Sequence, residues 1–373
     1  MEAVPRILHV LASLNTGGAE SMVMNIYRRI DTEKIQFDFI VHTQDKGSYE
    51  DEVIGMGGRI YRIPRYTGKN HFAYVKAWHD FFRNHPEYKI IHGHIRSTAS
   101  IYLGIAKKYT RTTIIHSHST SSGGGLSAII KNVMQLPLRN LADYLFACSV
   151  PSGEWLFGKK ACKRENFMVI KNAIDPDRYA FDELGRNRIR SELQLDGMYV
   201  VGHVGRFHPS KNHEFLLDIF KEIHEKIDNS VLLLVGEGEL RTVIEGKIKR
   251  LEIGKSVKLT GNRLDVPDLL KAMDVFVFPS LWEGLPVSVV EAQASGLPCI
   301  VSDAITDEVF ISPYIKSVSL SKNASEWADI ALSLKKPDRY DGKSYVDKAG
   351  FDICETAKKL TLFYMSIERE KRA

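Results

Sequence analysis

The stretch from Phe278 to Ala292 carries two carboxylates, Glu283 and Glu291, on either side of Gly284, Leu285 and Pro286. Glycine and proline here prepare a helix start, because a proline at the first helical position gives up an N–H that would be unpaired anyway. Glu283 then precedes the helix, and Glu291 lies one to two turns inside it. A carboxylate offers two acceptor oxygens, a match to a vicinal diol such as ribose or hexose hydroxyls. The free amides at a helix start face an anion such as a diphosphate. A second constellation, Gly205-Arg206-Phe207-His208-Pro209-Ser210-Lys211-Asn212, brings together a planar guanidinium and a mobile ammonium, both suited to phosphate oxygens. A third, Asn15-Thr16-Gly17-Gly18-Ala19-Glu20, has paired glycines that let a backbone approach a ligand. Paired glycines also mark plain tight turns, and both readings stand for this loop.

Other motifs lead elsewhere. His92-x-His94 and His116-x-His118 can be drawn as a metal cluster on neighbouring strands. No nearby carboxylates complete it, so neither a bound metal nor a cofactor is expected. Asp175-Pro176-Asp177 imitates an Asp-x-Asp metal motif but follows a strand and reads as a turn. Neither Gly17-Gly18 nor Gly236-Glu237-Gly238 has the spacing of a dinucleotide fingerprint, which argues against an NAD oxidoreductase. Cys148, Cys162, Cys299 and Cys354 are scattered, a pattern of reduced thiols and not of a zinc site or disulfide framework.

Loops act together only if strands and helices bring them together. Strand-like runs fall at 6–12, 35–42, 58–63, 89–94, 111–117, 143–148 and 167–171, with helix-length amphipathic segments such as 70–84 and 97–109 between them. Such alternation implies parallel strands with crossover helices, a doubly wound α/β sheet. Residues 182–197 turn polar and charged (Asp182, Glu183, Arg186, Arg188, Arg190, Glu192), as a connector would, and buried-strand runs then resume at 199–204, 231–235, 275–278 and 298–301. The predicted organisation is an N-terminal Rossmann-like domain over 1–181, a linker over 182–197 and a C-terminal Rossmann-like domain over 198–351. A final helix over 352–373 packs back on the N-terminal domain. The length of 373 residues suits two such domains. Ligands of open parallel sheets bind at the carboxyl ends of strands, where the three loops fall, and two domains facing each other make a cleft.

With Glu283 and Glu291 framed in Glu-Gly-Leu-Pro…Glu-Ala, the chain resembles the retaining GT-B glycosyltransferases of family 4 over nearly its whole length. The Gly17-Gly18-Ala19-Glu20 loop, the Arg206/Lys211 loop and Asn172-Ala173-Ile174-Asp175 fall in the family's order. The detail is similar to enzymes of bacterial capsular and exopolysaccharide assembly. Ala173 stands where the family often has glycine, which implies slight local backbone strain. The resemblance implies that Gly17 and Gly18 approach the donor diphosphate and that Arg206 and Lys211 neutralise it as it leaves. It places Glu291 on the ribose diol, Glu283 on hydroxyls of the transferred sugar, and Gly284 and Leu285 beside the donor. Asn262 and Arg263 would line the base. His118 aligns with the family's active-site histidine beside the anomeric carbon, and His116 is the alternative alignment, since alternation along a strand aims both at one face. The implied reaction is metal-independent transfer with retention from a nucleotide diphosphate sugar, with UDP the first carrier and GDP the next. The acceptor would be a saccharide, in the first place a lipid-linked one. A nucleotide-sugar epimerase of the same fold and a non-catalytic nucleotide-sugar-binding subunit remain as alternatives.

Composition bounds the setting. Hydrophobic residues at 44% and charged residues at 26% are those of a globular protein, and no apolar run approaches the ~18 residues of a membrane span. The N-terminus reads as a strand and a loop, not as a signal peptide, which predicts a cytoplasmic protein. Residues 1–180 hold 24 Lys and Arg against 16 Asp and Glu, while the remainder holds 27 against 30. Such a basic half can attract nucleic acid, an anionic membrane surface or a phosphorylated acceptor; with the apolar segment Leu126–Met134 the expectation is peripheral contact with the anionic inner face of the cell membrane, and no nucleic-acid partner is expected.

Overall fold

The computed structural model describes residues 4–15, 17–119, 126–335 and 338–370; Thr16 of the glycine loop lies outside the described residues. The chain divides into two units, one made of residues 1–173 and 353–373 and the other of residues 174–352.

In the first unit seven strands form one parallel sheet: β1 (Arg6–Leu11), β2 (Gln36–Val41), β3 (Ile60–Arg62), β4 (Ile90–Gly93), β5 (Thr112–Ser117), β6 (Tyr144–Ala147) and β7 (Phe167–Val169), in the order 3-2-1-4-5-6-7. Helices cover both faces, so β2 and β5 are buried along their whole length. Alternation sorts β1 between two cores. Ile7 and Leu11 pack with Tyr27, Phe37 and Tyr364, while Leu8 and Val10 pack with Trp78 and Tyr102. The helix Ile353–Glu370 contributes Ile353, Ala357, Leu360, Tyr364 and Ile367 to the first of these cores, a stripe stepping by four and three as an amphipathic helix requires. Ala173 is also buried there and does not adopt a positive φ, so the expected strain is absent.

The second unit repeats the plan with β8 (Tyr199–Val204), β9 (Ser230–Val235), β10 (Val257–Leu259), β11 (Val275–Phe278), β12 (Cys299–Ser302) and β13 (Ile315–Val318), all parallel, in the order 10-9-8-11-12-13. The sequence pattern did not foretell β10 and β13. They are the edge strands, partly exposed along their length, and so carry no apolar run. In each sheet the strand order reverses once, between β1 and β4 and between β8 and β11. Open α/β sheets bind ligands just beyond such reversals.

Residues 182–197 are not a free connector. Asp182 caps the helix Glu183–Glu192 by accepting from Gly185 N at 2.6 Å. Arg186 reaches Asp274 at 2.6 Å and the carbonyls of Lys271 and Met273, and Arg190 reaches the carbonyl of Ala272 at 2.8 Å. These carbonyls end the helix Val266–Ala272, where cations are favoured by the helix dipole. The charged composition serves docking within the second unit and not a solvated link. Asp175 and Pro176 likewise open a short helix, Pro176–Tyr179, and Asp177 pairs with Lys343.

Candidate functional site

At the reversal in the second sheet, the loops after β8 and β11 are stitched to each other. Leu281 N donates to Ser210 O at 2.7 Å, and Asn212 Nδ2 donates to Pro279 O at 3.1 Å. Asn212 takes a left-handed conformation (φ 55°) that ends the turn Pro209–Lys211 and starts the helix His213–Lys226. Gly205 leaves room for the Lys211 stem, since a Cβ there would sit 3.2 Å from its Cδ and Cε. Gly236 has φ +144°, and a Cβ would strike the carbonyl oxygen of Gly205. With Phe207 N donating to Glu237 O at 2.9 Å, the glycines of Gly236-Glu237-Gly238 pack the β9 loop against the Arg206 loop. They support the structure of these loops and form no dinucleotide motif.

The two charges on these loops meet. Lys211 Nζ lies 2.8 Å from Glu283 Oε1, with the side chains only 15% and 14% exposed, and 4.6 Å from the centre of the Phe278 ring. Groups assigned from sequence to different parts of a substrate are thus each other's partners. Arg206 is turned outward, 71% exposed, with Nη2 3.0 Å from Glu239 Oε2. Such a surface pair is worth little and exchanges readily. Glu291 sits in the helix Val287–Ala294 and accepts from the Tyr179 hydroxyl at 2.6 Å. Burial pushes the Glu291 carboxyl above the usual carboxylate range, against the pull of Tyr179 and Arg178. Pro286 offers no capping side chain to that helix, and a Cβ on Gly284 would meet nothing within 4 Å, so a ligand can approach the backbone there. Asn262 is exposed and follows Gly261, whose carbonyl accepts from Gly236 N at 3.0 Å. Arg263 is committed to a two-pronged pair with Asp265 at 2.7 and 2.6 Å.

The reversal in the first sheet gathers histidines, with Glu20, Arg96 and Lys131 lining a pocket beside His94. Gly17 caps the helix Gly18–Tyr27. The Glu20 carboxylate folds back onto the Gly17 α-carbon, so that a Cβ there would collide with it, whereas Gly18 has open space. An anion approaching this helix start therefore meets Glu20, whose carboxyl is pushed up by burial. His94 and His118 lie just past the ends of β4 and β5. His94 Nδ1 is 2.8 Å from His118 Nε2, and His94 Nε2 is 3.0 Å from Nδ1 of His9 on β1. His92 Nδ1 is 2.6 Å from the Tyr364 hydroxyl. His116 lies inside β5, fully buried, its ring 4.2 Å from that of His118, which is partly exposed. Burial lowers all five histidines, His9 and His118 to about 3, and keeps them neutral at pH 7. His9 went unnoticed in the sequence, although its place between Ile7 and Leu11 on one strand aims it at the same face. Donor atoms of His9, His92 and His94, and of His94, His116 and His118, lie within 4.8 Å of one another. Neither set contains Asp175 or Asp177.

The same chain divides between two family models: Glycosyltransferase Family 4 over residues 16–178 and Glycosyl transferases group 1 over residues 185–338. EpsF of Bacillus subtilis (strain 168), a glycosyltransferase by name, is 35% identical over 98% of this chain and 97% of its own length. The chain belongs to glycosyltransferase family 4. This glycosyltransferase is also similar to the capsular polysaccharide biosynthesis glycosyltransferase CapH of Staphylococcus aureus, 24% identical over 97% of this chain and 99% of CapH. It matches the UDP-Gal:alpha-D-GlcNAc-diphosphoundecaprenol alpha-1,3-galactosyltransferase of Escherichia coli at 36% identity over 39% of this chain and 40% of that enzyme. HepE of Anabaena, solved with UDP, superposes with a TM-score of 0.79 at 18% identity, covering 97% of this chain and 100% of HepE. At that identity the likeness shows the fold, GT-B.

Two further surfaces of this glycosyltransferase lie in the first unit. The helix Leu126–Gln135 exposes Ile129, Ile130 and Val133, as does Leu136 beyond it; the side chains of Leu126, Ser127 and Ala128 lie outside the described residues. An open groove of about 470 Å³ is lined by Arg139, Lys159, Lys160 and Arg164 among others. No described helix is long and apolar enough to cross a membrane.

Proposed function

We propose that this chain transfers a sugar, with retention at the anomeric carbon and without a metal ion, from a UDP-sugar to a saccharide acceptor carried on a lipid. The observation that carries the reading is the half-buried Lys211–Glu283 pair at the reversal of the second sheet, eight residues ahead of Glu291 in the chain. Lys211 neutralises the diphosphate as the C1–O bond breaks, and Arg206 swings from Glu239 to join it, an electrostatic stabilisation of the leaving group. Glu283, released from part of its ion pair, accepts hydrogen bonds from sugar hydroxyls. Glu291 accepts the ribose diol, whose donors offset the desolvation that raises its pKa. The acceptor hydroxyl attacks C1 on the face the phosphate leaves, and its proton passes to the departing phosphate oxygen. Gly18 and His118 serve the transfer from the first unit, and Asn262 lines the base. UDP is favoured over GDP by the UDP bound in HepE and by the named donor of the Escherichia coli relative. That relative's diphosphoundecaprenol acceptor favours a lipid carrier, as do the exposed apolar helix and basic groove, which suit peripheral attachment to the anionic cytoplasmic face of a membrane. An epimerase of the same fold finds no support among these relatives.

Calorimetric titration with UDP and GDP, beside a transfer assay in excess chelator, tests the reading. Binding of UDP ahead of GDP and turnover that survives chelation are expected. Activity abolished by chelator and restored by Mn²⁺ would overturn the phosphate assignment. Equal recovery on neutral and anionic vesicles at low salt would remove the membrane attachment.

A further inference from the structure

We propose that His94 is a positioning residue for His118, fixing which nitrogen of that ring faces substrate through a hydrogen-bonded chain that ends on His9. The catalytic meaning of the proposal rests on the transfer role given above to His118; the coupling of the rings does not. His94 uses both of its nitrogens, Nε2 toward His9 Nδ1 at 3.0 Å and Nδ1 toward His118 Nε2 at 2.8 Å. A neutral imidazole has one N–H donor and one acceptor nitrogen, and burial holds these three rings neutral at pH 7.

Three neutral rings in a row have two proton settings. In one, His9 Nδ1–H donates to His94 Nε2, His94 Nδ1–H donates to His118 Nε2, and His118 carries its proton on Nδ1. In the other, His118 Nε2–H donates to His94 Nδ1, His94 Nε2–H donates to His9 Nδ1, and His118 Nδ1 bears a lone pair. Any mixture sets two protons or two lone pairs against each other at about 3 Å, and a buried polar group facing such a neighbour is costly. In both settings His118 Nε2 is taken by His94, and Nδ1 is the nitrogen left for a ligand. The ends of the chain agree. His9 Nε2 and His118 Nδ1 are buried without a hydrogen-bond partner among the described residues, whereas both nitrogens of His94 are bonded. The neighbouring rings act differently. His92 is turned to Tyr364, and His116 stacks on His118 at 4.2 Å between ring centres, which holds the plane of the ring without entering the chain.

The same nitrogens are near enough to share a metal ion, and an ion would replace the shared protons, so the two occupants are separable. The experiment is ¹⁵N-histidine NMR on the full chain with and without Zn²⁺, alongside steady-state kinetics of His94→Phe and His94→Asn. In the wild type His9, His94 and His118 should carry matching tautomers, all protonated on Nδ1 or all on Nε2. In His94→Phe the His118 tautomer should no longer follow that of His9, with kcat down about tenfold for the lost hydrogen bond and the donor KM within about twofold. A side-chain amide at that position still reaches His118 Nε2, so His94→Asn should recover most of the loss, a result that simple repacking would not produce. Should His94→Phe fail to fold, His9→Phe provides the tautomer readout. An unchanged His118 spectrum in the variant, an unchanged kcat, or stoichiometric Zn²⁺ binding that shifts the His94 and His118 signals would each overturn the proposal. Full turnover in His118→Ala would remove the transfer role of His118 while leaving the ring coupling measurable.

Discussion

The two sheets share a strand order and place their special residues near the same point, yet one pairs opposite charges and the other clusters imidazoles. Beyond β8 and β11 stand Lys211 and Glu283 in a half-buried pair, with Arg206 and Glu291 close in sequence to them. On β1 stands His9, and just past β4 and β5 stand His94 and His118, histidines that burial keeps neutral. The difference lies in how each group escapes the cost of leaving water. A lysine and a carboxylate can stay charged when buried only as partners, whereas an imidazole sheds its proton. The second unit thus presents a pair of opposite charges, and the first a set of uncharged imidazoles.

The largest effect should come from breaking the charged side. Glu283→Ala should lower turnover on the order of a hundredfold or more, as losing one preorganised contact does in other sites, while free UDP affinity stays within about twofold. Calorimetry beside a transfer assay reads both, and a loss of UDP binding would show that Glu283 serves the nucleotide. Glu291→Ala should weaken UDP and the UDP-sugar alike by about ten- to a hundredfold, the worth of a charge-assisted hydrogen bond; unchanged UDP affinity would put the ribose elsewhere.

The neutral side should respond to acid. The folded-state pKa of His9 is depressed to about 3 from 6.5, so below pH 6.5 the unfolded chain binds a proton that the folded chain refuses. Stability conferred by neutral His9 is complete above about pH 6.5 and declines toward pH 3, by about 1.4 kcal/mol per pH unit. Urea midpoints between pH 7 and 5 should fall less steeply in His9→Phe than in the wild type. Parallel slopes would mean that His9 is not held neutral by burial. The smallest effect is expected for Tyr179→Phe. It removes one hydrogen bond to Glu291 and leaves the carboxylate, so UDP affinity should drop about two- to tenfold; a drop as large as that of Glu291→Ala would make Tyr179 itself a nucleotide contact.

Much of the architecture was legible because central parallel strands are buried on both faces and show as apolar runs. Edge strands β10 and β13 lack that signal, and the helix Glu183–Glu192 was disguised by arginines whose partners, Asp274 and the carbonyls ending Val266–Ala272, lie some eighty residues away. Within the candidate site, Glu283, Glu291, Arg206 and Lys211 were recognisable by type and by position after strands. His9 was not, because a lone histidine in an apolar strand says nothing until its neighbours are known.

Residue type, local spacing and strand-end position are properties of the chain itself; they determined the two α/β sheets and the acidic and basic residues of the second unit, and the resemblance those residues carry pointed to the GT-B class and the family. Partnership is not such a property. That Lys211 faces Glu283, that Glu291 is held by Tyr179, that Glu20 folds back on the start of the helix Gly18–Tyr27, and that three strands bring five imidazoles into one neutral cluster were decided only by the tertiary structure. Each depends on distances across strand crossovers and on burial, and it is burial that chooses between pairing a charge and giving up a proton.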